Sequence, residues 1–503
     1  MDIEKKNIYM PEITSDTIYR KDLELDGSLP EDAPDVARLI RVDAHTSAPE
    51  TVLENGRLCV KCDVVFGILY ESDLHSRPAY TQTSAVFTQT TDIPAPNGEY
   101  YPRAAVRCAG LSCKLLGPRR FVIRAGMETY VNVISVREYA VSDAENAPEG
   151  TFFRTAGCSY ALPCRILTAE RGYSGTSVAE TAAAGVLFTD CYCRMPECSA
   201  VDGKLTVRTD VTLKAFCESE DGGFFTVPYV FEAELTAEDA EISIDSLFYA
   251  DVCVSSCSAV AENDEYGENR VIKFSCTVNM TAVEYEKTTE QTADDMFCSG
   301  AACDTETDDL IWHERIGEVR RDFAFENEYD NERADIRSIT DMTLSFSVDS
   351  AEYADGVLNV KGSYSAEYLA DTDGGVTGGG FTGEYAESVP FAGGDTAVCV
   401  KAVPVSVTYS VADGETIRIR GSAELCAEIF ASRKKAALVS ASVAEETLPA
   451  MTGMKFYFPE NTETAWDIAK RYRTDPAKLA ENNPSAFTAD GAITPDTSFV
   501  MIK

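Results

Sequence analysis

The sequence predicts a mainly β protein: three consecutive β-sandwich or open-barrel repeat domains followed by a small domain of strand–helix–helix–strand order. Three observations predict it. Apolar residues alternate with period two in three similar segments, each of these opens on an Asn-Gly or Asp-Gly turn, and capped segments with one-face helical spacing appear in residues 454–503. The expected domains are 1–145, 146–300, 301–448 and 454–503.

The first alternating segment starts at Asn55-Gly56, and Leu58, Val60, Cys62, Val64, Phe66, Ile68 and Tyr70 share one face while Lys61, Asp63 and Glu71 take the other. The second starts at Asp202-Gly203, with Leu205, Val207, Val211, Leu213, Ala215 and Cys217 inward. The third starts at Asp355-Gly356, with Leu358, Val360, Tyr364, Ala366 and Tyr368 inward. A half-buried antiparallel strand explains such alternation, because a slip of one residue turns every apolar group to water. Each segment ends in an acidic turn, at Glu71-Ser72-Asp73, Glu218-Ser219-Glu220 or Asp371-Thr372-Asp373. Phe87, Phe231 and Phe391 recur downstream, near Pro94, Pro228 and Pro390.

Two further strands follow in each copy, at 105–116 with 121–133, 252–261 with 271–283, and 398–410 with 417–429. Upstream of the first copy, LPEDAPDVARLIRVDAH reads as a short acidic-capped helix feeding a strand. Small, acidic and polar residues place the links at Ser142–Gly150, Thr288–Thr307 and Ala444–Gly453. The segments Phe153–Cys158 and Phe297–Cys303 then read as the starts of the second and third units.

Composition bounds the function. The chain has 503 residues, 45% of them hydrophobic and 10% aromatic, enough for several cores, so its acidity is not a mark of disorder. With 44 basic and 83 acidic residues its formal charge is −39, which repels nucleic acid and anionic lipid and favours protein partners. The N-terminal sequence has no apolar central stretch and no later run is long enough to span a bilayer, so a cytosolic protein is expected. Seventeen cysteines, odd in number and without framework spacing, read as buried free thiols in a reducing compartment.

Neither a cofactor nor a metal is expected. Cys59 and Cys62 form a CxxC, but residues three apart on a strand face opposite ways, and His45, His75 and His313 are too dispersed to complete a zinc site. The glycine-rich stretch Gly374–Gly383 lacks the ending of a phosphate loop and reads as a flexible hairpin loop. Gly172-Tyr173-Ser174-Gly175 is one residue short of a nucleophile elbow. Arg103, Arg107, Lys114, Arg119, Arg120 and Arg124 gather on the last strands of the first copy, as a docking patch or, more commonly, as cross-strand charge pairs.

In residues 454–503, a strand carrying Phe456 and Phe458 precedes Thr462 or Thr464 as N-cap candidates. A helix with Ala465, Ile468, Ala469 and Tyr472 on its core side follows. Asp475 caps a second helix with Pro476 at its first position and Leu479 inside; the helix stops at Asn482-Asn483-Pro484, and residues 499–502 return as a strand. This order, with the core Thr464-x-Trp466-Asp467-Ile468-Ala469-Lys470-Arg471-Tyr472, resembles a LysM domain. Three β copies followed by such a module resemble the SipL family, the SpoIVA-interacting proteins of clostridial spore-coat morphogenesis. The resemblance implies a non-enzymatic mother-cell scaffold at the forespore surface that binds the coat ATPase SpoIVA through its LysM-like module.

LysM domains also bind N-acetylglucosamine-containing glycan between the turn before the first helix and the loop after the second. Here that turn is Thr462-Glu463-Thr464, without the glycine usual in the family, and Lys503 stands where a final proline is usual. Trp466, Lys470 and Arg473 lie at i, i+4 and i+7 beside the core stripe, so the expected partner face is Trp466 as anchor, ringed by Lys470, Arg473 and the 482–487 loop with Asn482, Asn483, Pro484 and Phe487. The competing expectation for Trp466 is ordinary core against the terminal strand. The competing function is a peptidoglycan-binding wall or cortex protein or hydrolase accessory.

Overall fold

Asn55-Gly56 and Asp355-Gly356 turn with both residues at positive φ, between 51° and 76°, and Gly203 does so at 78° after Asp202. Glycine adopts these angles without a Cβ clash, and each turn folds one long strand back onto its neighbour. The structure, a computed structural model, describes residues 1–503 except 75–76, 95–97, 332–335, 413–414, 450–452, 461 and 489, and the side chain of Thr447. His75 and part of the expected third link thus lie outside the described residues.

The protein is mainly β, with several antiparallel sheets and two short helices. Strands β1 (Lys5–Ser28), β2 (Val36–Thr46), β3 (Glu50–Glu54), β4 (Arg57–Ser72), β5 (Pro78–Asp92), β6 (Tyr100–Gly117) and β7 (Arg120–Ser142) come first. They form the sheet β1-β7-β6 and a sheet in which β4 pairs with β2 and β3 on one edge and β5 on the other. Next are β8 (Thr151–Val178), β9 (Ala183–Cys193), β10 (Glu197–Val201), β11 (Lys204–Ser219), β12 (Phe224–Glu238), β13 (Leu247–Glu262) and β14 (Val271–Cys298). These make β8-β14-β13 and a sheet centred on β11. Then come β15 (Ala301–Asp330), β16 (Ile336–Ala354), β17 (Val357–Thr372), β18 (Gly375–Pro390), β19 (Thr396–Ala412) and β20 (Thr416–Thr447), arranged as β15-β20-β19 and β16-β17-β18.

Within each group a core lies between the two sheets, and the alternating residues of β4, β11 and β17 fill it: Leu58, Val60 and Val64, then Leu205, Val207 and Val211, then Leu358, Val360 and Ala366. Glu50 pairs with Lys61, Glu197 with Arg208 and Ser350 with Lys361, and the residues just before them are Pro49, Pro196 and Asp349. Proline has no N–H for the ladder, so the edge breaks into two strands at Pro49 and Pro196. At Asp349 it continues as one strand with a register shift.

The sheet groups meet through residues outside those cores. Leu69, Phe216 and Leu369, each thirteen residues beyond its turn glycine, are buried with Phe188 and Val376 on the opposite face of the central strands. Ile134, Tyr285 and Phe430 meet from β7, β14 and β20 with Tyr249 and Cys399. The strand pairs β1–β7, β8–β14 and β15–β20 run on past the facing sheets and bury Met10, Tyr160, Leu310 and Trp312 among themselves.

Several sequence expectations are corrected here. Residues 29–45 hold no helix: after a turn at 31–33 the chain enters β2, whose backbone pairs with the end of β4. Arg119 closes that turn through the Ala33 carbonyl at 2.8 Å and Asp35 at 2.7 Å. The expected link 288–307 is nearly all strand, with only Ser299 and Gly300 between β14 and β15. Phe297 and Cys298 end β14 rather than start a third unit, and Phe297 pairs with Phe152. The glycine run 374–383 is not a loop but mostly β18, where Gly379 and Gly383 lie directly opposite Tyr368 and Tyr364. A Cβ at either would come within 2.4 Å of the facing ring, so the tyrosines cover what the glycines leave open. The Gly172–Gly175 segment is mid-strand in β8, with Tyr229 over Gly175.

The small C-terminal module joins β21 (Lys455–Tyr457) to β22 (Val500–Ile502) around α1 (Ala465–Tyr472) and α2 (Pro476–Asn482). Thr464 caps α1 in a reciprocal box with Asp467, and Asp475 caps α2. Tyr457 faces the module core, while Phe456 and Phe458 are exposed. Among the described residues no helix is long and apolar enough to cross a membrane.

Candidate partner-binding site

The face expected for a partner is turned toward the end of the β8–β14 strand pair. α1 is amphipathic, and burial of Ile468 and Ala469 against Leu479, Val500 and Ile502 leaves Trp466 and Lys470 on the adjacent side. Trp466 Nε1 donates to Asp295 Oδ2 at 2.9 Å, and Lys470 Nζ donates to Asp295 Oδ1 at 2.6 Å. The indole meets the Phe297 ring edge-on with centroids 5.1 Å apart, and Phe297 in turn lies 5.2 Å from Phe152. Burial alone pushes the Asp295 carboxyl up, but the hydrogen bonds from Lys470 and Trp466 and the Lys470 charge hold it below the usual carboxylate range.

Trp466 is thus partly buried: it packs against the module core and is hydrogen-bonded to Asp295, so it sits at a contact between the module and β14. Arg473 ends α1 in the left-handed region and lines a cleft of about 270 Å³ with Ser299, Gly300, Lys455 and Lys503. Sequence reasoning missed Asp295 and Phe297, because the polar composition of 288–307 read as a link. A Phe next to a small-residue stretch is the signal available, but Phe297 ends β14 rather than opening the segment that follows.

Of the remaining expected site residues, Thr462 and Pro484 are exposed and the others have local partners. Thr462 is exposed, and Glu463 accepts from the Tyr457 hydroxyl at 2.9 Å and pairs with Arg471 at 2.7 Å. Asn482 Nδ2 donates to the Lys478 carbonyl at 2.7 Å. Asn483 clamps β22, donating to the Met501 carbonyl at 2.8 Å and accepting from the Met501 amide at 2.7 Å. Phe487 packs partly buried in the module core, and Pro484 is exposed.

Elsewhere the charge is buried at the seams. Glu428 is fully buried and binds both Arg103 and Arg315, the latter at 2.8 Å, while Arg103 Nε donates to Asn132 at 3.0 Å and stacks on Tyr249. Burial pushes Glu428 up, and the two guanidiniums more than reverse this, leaving it low. Arg41 binds Asp341 at 3.1 Å and Lys214 binds Asp341 at 2.9 Å, with Asp190 and Asp43 nearby. Of the six basic residues gathered in the first unit, Arg103, Arg107, Arg119 and Arg124 each have an internal carboxylate partner. Cys62 is buried in its core, on the face opposite Cys59, and among the described residues no group of His, Cys, Asp and Glu is placed to hold a metal ion. A seam cavity of about 510 Å³ and a second of about 210 Å³ share Tyr249 and Lys401 as a wall.

Compared with known proteins, the chain has no matching family model, curated protein or solved structure.

Proposed function

We propose that this protein is a non-enzymatic scaffold in spore-coat assembly, built of three copies of one sandwich unit that carry a LysM-like adaptor for another protein. The partner in this reading is the coat ATPase SpoIVA, at the forespore surface of the mother cell. One observation carries the preference for a protein over a glycan: the Trp466–Lys470 face already engages a polypeptide surface, through an aromatic edge and a carboxylate. Aromatic and cationic side chains in this pairing are favoured anchors of protein interfaces.

The turn where LysM domains take glycan supports the same preference, because Glu463 is engaged by Tyr457 and Arg471. Partner binding through Trp466 then requires release from Asp295, so the β14 tip and the partner compete for one face. The test is retention of the full chain on immobilised coat ATPase and, separately, on peptidoglycan. Binding to the ATPase that Trp466→Ala abolishes, with the circular dichroism unchanged, is the expected result. Retention on peptidoglycan alone overturns the proposal in favour of the wall-binding reading.

A further inference from the structure

Cys191 and Cys257 face one another across the meeting edges of two sheets. Among the described residues, Cys191 lies on β9, which pairs only with β11, and Cys257 lies on β13, which pairs only with β14. The contact between these edges is fixed by Thr189, whose hydroxyl donates to the Cys257 carbonyl at 3.2 Å and accepts from the Cys257 thiol at 3.4 Å. Thr189 and Cys191 are two residues apart on one strand and share a face, so the Cys191 side chain is turned to the same neighbouring edge. Each of the two thiols shifts the titration of the other. Both are partly exposed, whereas Cys276, directly opposite Cys257 in β14, is buried.

The two sulfurs are also unequal. The neighbouring Cys191 thiol, opposed by burial, combines with the Thr189 hydroxyl and the charge of His45 to bring the Cys257 thiol down to about 7. The Cys257 thiol, with burial, pushes Cys191 well up. Every other cysteine with a shifted thiol is pushed upward, chiefly by burial. A thiol near neutrality beside a second thiol has the arrangement of an attacking and a resolving cysteine.

We propose that Cys191 and Cys257 form a reversible dithiol–disulfide site, oxidised by a low-molecular-weight disulfide such as oxidised glutathione, that staples β9 to β13. The Cys257 thiolate attacks one glutathione sulfur, the glutathione S–S bond breaks, and the first glutathione leaves as thiolate and takes up a proton. Cys191 gives up its proton and attacks the Cys257 sulfur of the mixed disulfide, releasing the second glutathione. Two electrons pass from the cysteine pair to the glutathione disulfide, and both thiol protons end on glutathione. The product ties the two sheets of the second sandwich together at an edge that otherwise relies on side-chain contacts.

The experiment is incubation of the full chain with oxidised glutathione, alkylation of remaining thiols, digestion and mass mapping. The expected product is one peptide pair joined through Cys191 and Cys257, lighter by two hydrogens and separated again by dithiothreitol. Cys191→Ser should instead leave glutathione attached to Cys257, and Cys257→Ser should remove both products at this site. In the untreated chain, Cys257 should be alkylated faster than Cys276 at neutral pH. Alkylation of Cys191 and Cys257 as slowly as the buried thiols, or a link from Cys257 to Cys276, overturns the proposal without recourse to either variant.

Discussion

At the seam between the sheet groups, Glu428 has no solvent exposure and holds Arg103 and Arg315; at the tip of β14, Asp295 is 19% exposed and holds Trp466 and a half-exposed Lys470. Both are carboxylates shared by two donors, yet they differ in what surrounds them. The buried one is surrounded by Tyr249, Tyr285 and Cys399, so removing any member strands a charge in a medium that cannot solvate it. Water can replace the other. The seam therefore behaves as a permanent joint and the β14 contact as a releasable one, although each is a carboxylate held by two donors.

The largest effect that tests this contrast is Glu428→Ala, which leaves the buried Arg103 guanidinium without its paired anion and Arg315 with only the more distant Glu318, and should destabilise the chain by ~3–5 kcal/mol. A urea midpoint close to that of the parent would break the comparison. Leu369→Ala removes an apolar group from the junction of Leu69 and Phe216 and should cost ~2–5 kcal/mol in the same measurement. An effect near zero would mean that the sheet groups do not rely on this contact.

Smaller effects belong to the module. Thr464→Ala removes the cap of α1 and should lower the stability of the module by ~1 kcal/mol, read by hydrogen exchange in Ile468 and Ala469, with the sandwich strands unaffected. Asp295→Ala should weaken docking by ~1 kcal/mol or less, because both partners are reached by solvent. Its readout is fluorescence: the chain has two tryptophans, and Trp312 is buried at 6% exposure, so a red shift reports Trp466 entering water. The same variant should bind the proposed partner more tightly, and weaker binding would sink the competition between partner and β14.

Acid sharpens the contrast further. Asp295 and Glu428 both have folded pKa values below the ordinary carboxylate value, so their contributions are full above an unfolded pKa of ~4 and are lost as pH falls through the folded values. Tryptophan fluorescence and strand circular dichroism followed together below pH ~4 should show the module releasing before the sheets unfold. Coincident transitions would show that the two joints are one cooperative unit.

Alternation was legible along β4, β11 and β17 because each has a fixed wet side for most of its length, and the caps of α1 and α2 were legible because they are satisfied within a few residues. Leu69, Phe216 and Leu369 were not, since they sit on the nominally wet face and are buried only where the sheet groups meet, with Phe188 and Val376. Residues 288–298 carry Glu290, Thr292 and Asp295 and read as linker, yet their backbone is paired along its length with β8. The glycines of β18 read as loop until Tyr364 and Tyr368 are placed over them.

By itself the sequence determined what depends on near neighbours: the turn at Asn55-Gly56, the period of each central strand, and the capped helices of the module. Local sterics and hydrogen bonding act over a few residues, so their trace stays in the order of the chain. Only the tertiary structure decided that Trp466 rests on Asp295, that Arg103 finds Glu428, and that Cys191 meets Cys257. These contacts join residues 171, 325 and 66 positions apart. At such separations the entropy of closing the chain is overcome only by the assembled sheets, and no local pattern records which side chains they bring together.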